Sequence, residues 1–272
     1  MLLWYWVIPA IMLYTALLAL TRAVLRHAPD PSDLEAGIIM FVFRRYSWAM
    51  HRLRIIDADN IPRSGHPGPL IVVANHTAGV DPVLIQASCP FPIRWVMADD
   101  MAVSMLQPLW DIGQVIRVDR RRNESMGVRE ALRHIRSGGV LGVFPEGHLE
   151  RPPRAVLPFL PGVGLFIQRT GARVLPLVID GAPQIDPAWA SLWRRSRSTV
   201  RALPMVDYTD SELSARDIAK DLRRRMIEAT GWPENDATPR LVGDQWVQVD
   251  VSGRWPDGAP PAGTPAGPST PR

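Results

Sequence analysis

Leu70-Ile71-Val72-Val73-Ala74-Asn75-His76-Thr77-Ala78-Gly79-Val80-Asp81-Pro82 is the stretch that settles the architecture. Its first five residues are an apolar run between Gly68-Pro69 and Asn75. A run of that length, bounded by turn formers, reads as a buried strand. Pro82 to Ala87 then opens a helix, because Asp81 suits an N-cap and Pro82 the first helical position. His76 and Asp81 lie between, five apart, with Gly79 to let the chain turn. Open α/β folds place their sites at strand ends, so this junction is the first candidate site.

The pattern repeats downstream. Ile93–Met97, Val115–Val118, Val140–Phe144 and Val174–Ile179 read as further strands. Glu124–Arg136 reads as a helix with Val128, Ala131, Leu132 and Ile135 on one face, stopped by Gly138-Gly139. Gly164–Thr170 is a helix ended by Gly171, and Ser211–Thr230 a late, arginine-rich amphipathic helix. Alternation of this kind predicts an α/β fold, a mainly parallel sheet flanked by helices. Pro176 within the last strand marks an edge or an irregular position. From Trp232 the composition shifts to Pro, Gly and Ala, so residues 232–272 are expected to be a disordered tail.

Ahead of this unit, Met1 to Thr21 carries no charged side chain. Crossing a bilayer as a helix takes about 20 apolar residues. Trp4, Tyr5 and Trp6 sit near one end, and Arg22 and Arg26 follow the other. The expectation is a hydrophobic membrane anchor over 1–26, with the rest of the chain on the cytoplasmic face of the membrane. A helix half-inserted in one leaflet, kinked at Pro9, is the alternative. No basic region precedes the apolar run, which argues against a signal peptide. Leu34–Arg54 reads as a helix bearing Arg44, Arg45, Arg52 and Arg54. It either lies on anionic lipid or packs on the core. The body of the protein is then 27–231.

Composition narrows the partners. The 272 residues are 46% hydrophobic, enough for one sizeable core or two small ones. Net charge is +4, and the basic excess is arginine, since Lys220 is the only lysine. Such a balance suits nucleic acid, an anionic membrane or an acidic substrate. No zinc-type Cys/His spacing and no RNA-binding signature is present, so no nucleic-acid partner is expected. Cys89 stands alone, so an intrachain disulfide is impossible. Ten tryptophans against four tyrosines suit a membrane interface. Nothing in the sequence sets an oligomeric state.

The chemistry follows from the residue types. A free alcohol is a poor nucleophile, and a neutral imidazole can take its proton. A carboxylate on the other ring nitrogen fixes the tautomer. His76 and Asp81 can supply both, although Asp81 also suits a plain N-cap and His76 a structural role. No G-x-S-x-G elbow occurs, which points to direct attack by the acceptor without an acyl-enzyme. Gly113 to Arg120 reads as a strand running into the arginines 120–122, which either grip a phosphate or form a solvated basic turn. Glu146, in Phe144-Pro145-Glu146-Gly147, either binds acceptor hydroxyls or belongs to a turn. His148 and Glu146 are too few for a metal site, so no metal or cofactor is expected.

Taken in order, Asn75–Asp81, Gly113–Arg120, Phe144–Leu149 and Val174–Leu177 resemble the four motifs of the glycerolipid acyltransferase family, typified by lysophosphatidic acid acyltransferases. The match runs from about Leu53 to Ile179. The resemblance implies His76 as base and Asp81 as its orienting partner. It implies Arg120 as a ligand of the acceptor phosphate, Glu146 with Gly147 as acceptor-site residues, and Asn75 as a further substrate-side residue. It also implies a lipid acceptor, acyl-CoA or acyl carrier protein as donor, and a membrane-meeting N-terminal helix.

The chain departs from the family in three places. Ala78 replaces a serine. His148 and Leu149 stand where the third motif has Thr-Arg. Met97-Ala98-Asp99-Asp100 follows the second strand, where a lysine is common. The lost cations argue for an acceptor other than simple lysophosphatidic acid, unless Arg121, Arg151 or Arg154 compensates. The leading expectation is a membrane-associated O-acyltransferase of lipid biosynthesis. A thioesterase or lipase using the same pair, and a non-catalytic lipid-binding protein, are the alternatives.

Overall fold

The computed structural model describes residues 2–30, 32–98, 106–118, 126–150, 154–242 and 245–250. Its centre is a seven-stranded sheet. The strands are β1 (Arg54–Ile56), β2 (Leu70–Ala74), β3 (Arg94–Ala98), β4 (Ile116–Val118), β5 (Val140–Val143), β6 (Arg173–Asp180) and β7 (Thr199–Ala202), in the order β1-β7-β6-β2-β5-β3-β4. Every neighbouring pair is parallel except β6–β7. The mainly parallel α/β sheet expected from the sequence is present.

The apolar run Leu70–Ala74 is the middle strand, and all five residues are buried. Side chains alternate across a strand. Ile71 and Val73 therefore enter the core under α5 (Met126–Arg136), α6 (Gly162–Thr170) and α7 (Ala215–Thr230). Leu70, Val72 and Ala74 enter the core under α3 (Asp81–Ser88) on the other face. Covering both faces is what a parallel sheet requires. Because β2, β3, β5 and β6 run together, their C-terminal ends share one edge of the sheet. The segments that follow β2, β3 and β5 meet there.

Two strands of this sheet were not expected. β1 and β7 have three and four residues and lie beside β6. Pro176 is correspondingly not on an edge: β6 has β2 on one side and β7 on the other. It is at an irregularity, as the alternative had it. Leu203 N–H donates to Pro176 O at 2.9 Å, and then Val174 pairs with Val206, one residue out of register. The missing proline N–H faces that bulge, where no ladder bond is lost.

At the N-terminus α1 (Leu2–Leu25) is one continuous helix through Pro9. Its residues Trp6–Leu25 have a mean hydropathy of 1.8 and are almost wholly exposed. α2 (Leu34–His51) starts at Asp33, whose side chain accepts from Ala36 N–H at 2.9 Å. It packs on α3, where Arg44 Nε donates to Ala87 O at 3.0 Å. Leu34, Ile38, Val42 and Trp48 remain exposed on α2. The C-terminal tail is not wholly irregular: β8 (Ala237–Val242) and β9 (Gln245–Asp250) form an antiparallel pair. The expectation of disorder from Trp232 is corrected there. Composition weighed Pro and Gly and overlooked the alternation in Gln245-Trp246-Val247-Gln248-Val249. Residues 251–272 lie outside the described residues.

Candidate active site

β2 ends at Ala74, and the chain turns through His76 to Asp81 at the head of α3. This tight return brings Gly79 against the backbone of the short 3-10 helix Ala188–Trp193. A Cβ on Gly79 would stand 2.6 Å from Ala188 O. His76 Nδ1–H donates to Asp81 Oδ2 at 3.0 Å. The same oxygen accepts the backbone N–H groups of Thr77 at 2.6 Å and Ala78 at 2.8 Å, while Oδ1 accepts Thr77 Oγ1–H at 3.2 Å. Asp81 is completely buried. A carboxylate with that many donors is held as an acceptor, so the Nδ1–H tautomer of His76 is fixed and Nε2 is left with its lone pair.

The His76 ring is also clamped from the side. It stacks on Phe144 at 4.0 Å between centroids, and Phe144 stacks on Trp95 at 4.5 Å. Phe144 follows β5 and Trp95 belongs to β3, so three strands contribute to one three-ring stack.

His76 lines a cavity of about 650 Å³ at this edge of the sheet. Trp95, Met97 and Ala98 from β3, Val128 from α5, and Val163 and Phe166 from α6 form much of its wall. Ala188, Trp189 and Leu192 close one side. Among the described residues lining it, His76 is the only ordinarily titratable one. The cavity is thus hydrocarbon with a single imidazole, a shape suited to an acyl chain.

Several expectations change here. Gly147 does line the cavity, at φ +67°, with Leu160 packed where a Cβ would project. Glu146 does not: its carboxyl is buried, and neither oxygen meets a donor at hydrogen-bonding geometry among the described residues. Burial, then the neighbouring Glu150, raises its pKa well above the ordinary carboxylate value, despite the nearby N–H groups of His76 and Leu157. Asn75 is also withdrawn from the substrate side. It is fully buried, Ile179 N–H donates to its Oδ1 at 2.8 Å, and its Nδ2 donates to Ile179 O at 3.0 Å. That amide ties β2 to β6. Arg154 pairs with Asp180 through two 3.1 Å bonds and faces a separate pocket, so it does not replace a lost cation beside His76. Arg120, Arg121 and Arg151 lie outside the described residues. Leu149 and Ala98 both line the apolar cavity.

Sequence reading missed Glu150. It is completely buried, accepts Asn75 Nδ2–H at 3.2 Å and Ala155 N–H at 2.9 Å, and its own N–H donates to His76 O at 2.5 Å. Burial pushes its carboxyl up to about 7. A glutamate in a polar-looking loop carries no sequence signal for this. Among the described residues no group of three or more His, Cys, Asp and Glu side chains is placed to hold a metal ion.

Fold and site together define an α/β protein with a carboxylate-oriented histidine at the mouth of an apolar cavity. Residues 52–180 match the family model described as Acyltransferase, so this part of the chain is similar to the acyltransferase family. The matched span is the one that carries the four motifs. A 1-acyl-sn-glycerol-3-phosphate acyltransferase of Borreliella burgdorferi is 26% identical over 132 residues, 47% of this chain and 51% of that protein. The chain therefore spans about half the length of that curated relative. The crystal structure of the 1-acyl-sn-glycerophosphate acyltransferase PlsC from Thermotoga maritima is similar with a TM-score of 0.56. It covers 74% of this chain and 82% of that one, at 22% identity, a likeness of fold.

Proposed function

We propose that this protein is a membrane-associated O-acyltransferase that moves a fatty acyl group from a thioester donor, acyl-CoA or acyl carrier protein, to the hydroxyl of a lysophospholipid-like acceptor. The observation that carries the reading is the Asp81-held imidazole of His76 at an apolar cavity of about 650 Å³. The names of the two relatives support the choice of acceptor class.

The steps follow from the geometry. The acceptor hydroxyl gives its proton to His76 Nε2 as its oxygen attacks the thioester carbonyl. Asp81 stabilises the imidazolium that forms. The tetrahedral intermediate collapses, the C–S bond breaks, and the thiolate leaves with the proton returned by His76. The acyl chain lies in the cavity, which also keeps water from competing. Leu149 and Ala98 present hydrocarbon to the cavity, which favours an acceptor that needs no phosphate contact at those two positions.

Membrane association rests on α1 and α2. Ile8, Ile11, Leu13, Leu17 and Leu20 are exposed on α1, and Leu34, Ile38, Val42 and Trp48 extend the apolar surface on α2. Arg22 and Arg26 at the C-terminal end of α1 favour placing the catalytic body on the cytoplasmic face. A labelled acyl-CoA assay on purified protein with a panel of lysolipids, beside His76→Ala, tests the reading. Label should enter an acceptor in the wild type only. Free fatty acid released without acceptor dependence would instead indicate a hydrolase.

A further inference from the structure

Glu150 is a buried titratable group bonded to the His76 main chain, and the mechanism above gives it no task. Its backbone N–H donates to His76 O at 2.5 Å. Its carboxylate accepts from Asn75, the residue before His76, and from Ala155 N–H across the loop. Asn75 is in turn fastened to both the N–H and the C=O of Ile179 on β6. The peptide that carries His76 is therefore held between β6 and Glu150, while Asp81 holds the ring.

We propose that Glu150 is a positioning residue for His76, fixing its main chain and setting the electrostatic background in which its ring works. The proposal rests on the reading of His76 as general base. Among the described residues, Asp81, Glu146, Asp180, Arg154 and His76 are charged or titratable groups near Glu150. Asp81 and Glu146 oppose its ionisation, as burial does, while the donors from Asn75 and Ala155 favour it. An ionised Glu150 adds a second carboxylate charge near Asp81.

Glutamine is a poor replacement. One of its two ends is an NH2, and both Asn75 Nδ2 and Ala155 N offer hydrogens, so one donor faces another. Aspartate keeps both acceptor oxygens at a shorter reach.

The test measures kcat and KM against pH for wild type, Glu150→Gln, Glu150→Asp and His76→Ala. Glu150→Gln should lower kcat about tenfold or more with the acceptor KM within about twofold, because positioning acts on the transition state. Glu150→Asp should recover part of the loss. An unchanged kcat in Glu150→Gln, with His76→Ala inactive, would overturn this inference alone. A fully active His76→Ala would overturn the reading beneath it. Should Glu150→Gln not fold, Glu150→Asp decides: a lower kcat at an unchanged acceptor KM supports the proposal, and a wild-type kcat overturns it.

Discussion

Asp81 Oδ2 is shared by His76 Nδ1–H at 3.0 Å and by the backbone N–H groups of Thr77 and Ala78. One oxygen thus caps the turn and orients the ring. Asp81 is not the N-cap that the sequence suggested: Val80 holds that position, Asp81 is the first residue of α3, and its carboxylate accepts from the turn before it rather than from the helix.

Asp81→Asn tests that double role. The amide turns an acceptor into a donor at a place where three hydrogens converge. It should lower kcat by roughly 10²–10⁴-fold and cost about 1–3 kcal/mol of stability. Steady-state kinetics and a thermal melt measure the two effects. Wild-type kcat in a folded Asp81→Asn would remove Asp81 from the mechanism.

Asn75→Ala separates a structural amide from a substrate ligand. Removing it strands Ile179 N–H and C=O and one oxygen of Glu150 in the core. A loss of about 2–4 kcal/mol is expected. The acceptor KM should change little. A large rise in acceptor KM without loss of Tm would restore Asn75 to the substrate side.

Much of the centre was legible because local chemistry and tertiary role agree. Leu70–Ala74 is apolar throughout since both faces of β2 are covered, and α5 and α6 show their buried faces and glycine stops directly. β1 and β7 were invisible. Three or four residues give no period to read, and β1 finds its partner β7 more than a hundred positions away. The role of Asn75 depends on Ile179, and that of Glu150 on Asn75, so neither has a local signature. Glu146 belongs to a recognisable motif, but its withdrawal from the cavity is a matter of packing.

The pH dependence of stability has a definite sign. The Glu150 carboxyl is raised from an ordinary 4.5 to about 7 in the folded chain. Between those values the folded state holds a proton that the unfolded state has released. Stability from this group is therefore full below about pH 4.5, falls as pH rises, and is lost above about pH 7, by up to on the order of 3 kcal/mol. The Tm of the wild type minus that of Glu150→Gln should fall across this window. A constant difference would contradict the raised pKa.

The cavity wall should set acyl-chain preference. Ala98 lines it from the end of β3. Ala98→Phe should cut kcat/KM for long-chain donors by about tenfold or more and leave short-chain donors within a few-fold. A panel of acyl-CoA lengths gives the answer. Equal losses for all lengths would mean the chain lies elsewhere.

Membrane contact through α1 is open to a charge test. Leu17 is exposed on that helix. An arginine at a helix centre in the bilayer costs about 2.5–3.5 kcal/mol. Leu17→Arg should shift protein from the vesicle-bound to the free fraction in a flotation assay. Unchanged binding would place the contact on another surface.

The central claim is that His76 activates an acceptor hydroxyl for attack on an acyl thioester. Transfer of labelled acyl groups from acyl-CoA, or from acyl carrier protein, to a lysolipid panel by wild type and by folded His76→Ala tests it most directly. The account predicts label in a lysolipid product with the wild type and a loss of about 10³-fold or more in the variant. Undiminished transfer by His76→Ala, or label released only as free fatty acid, would contradict it.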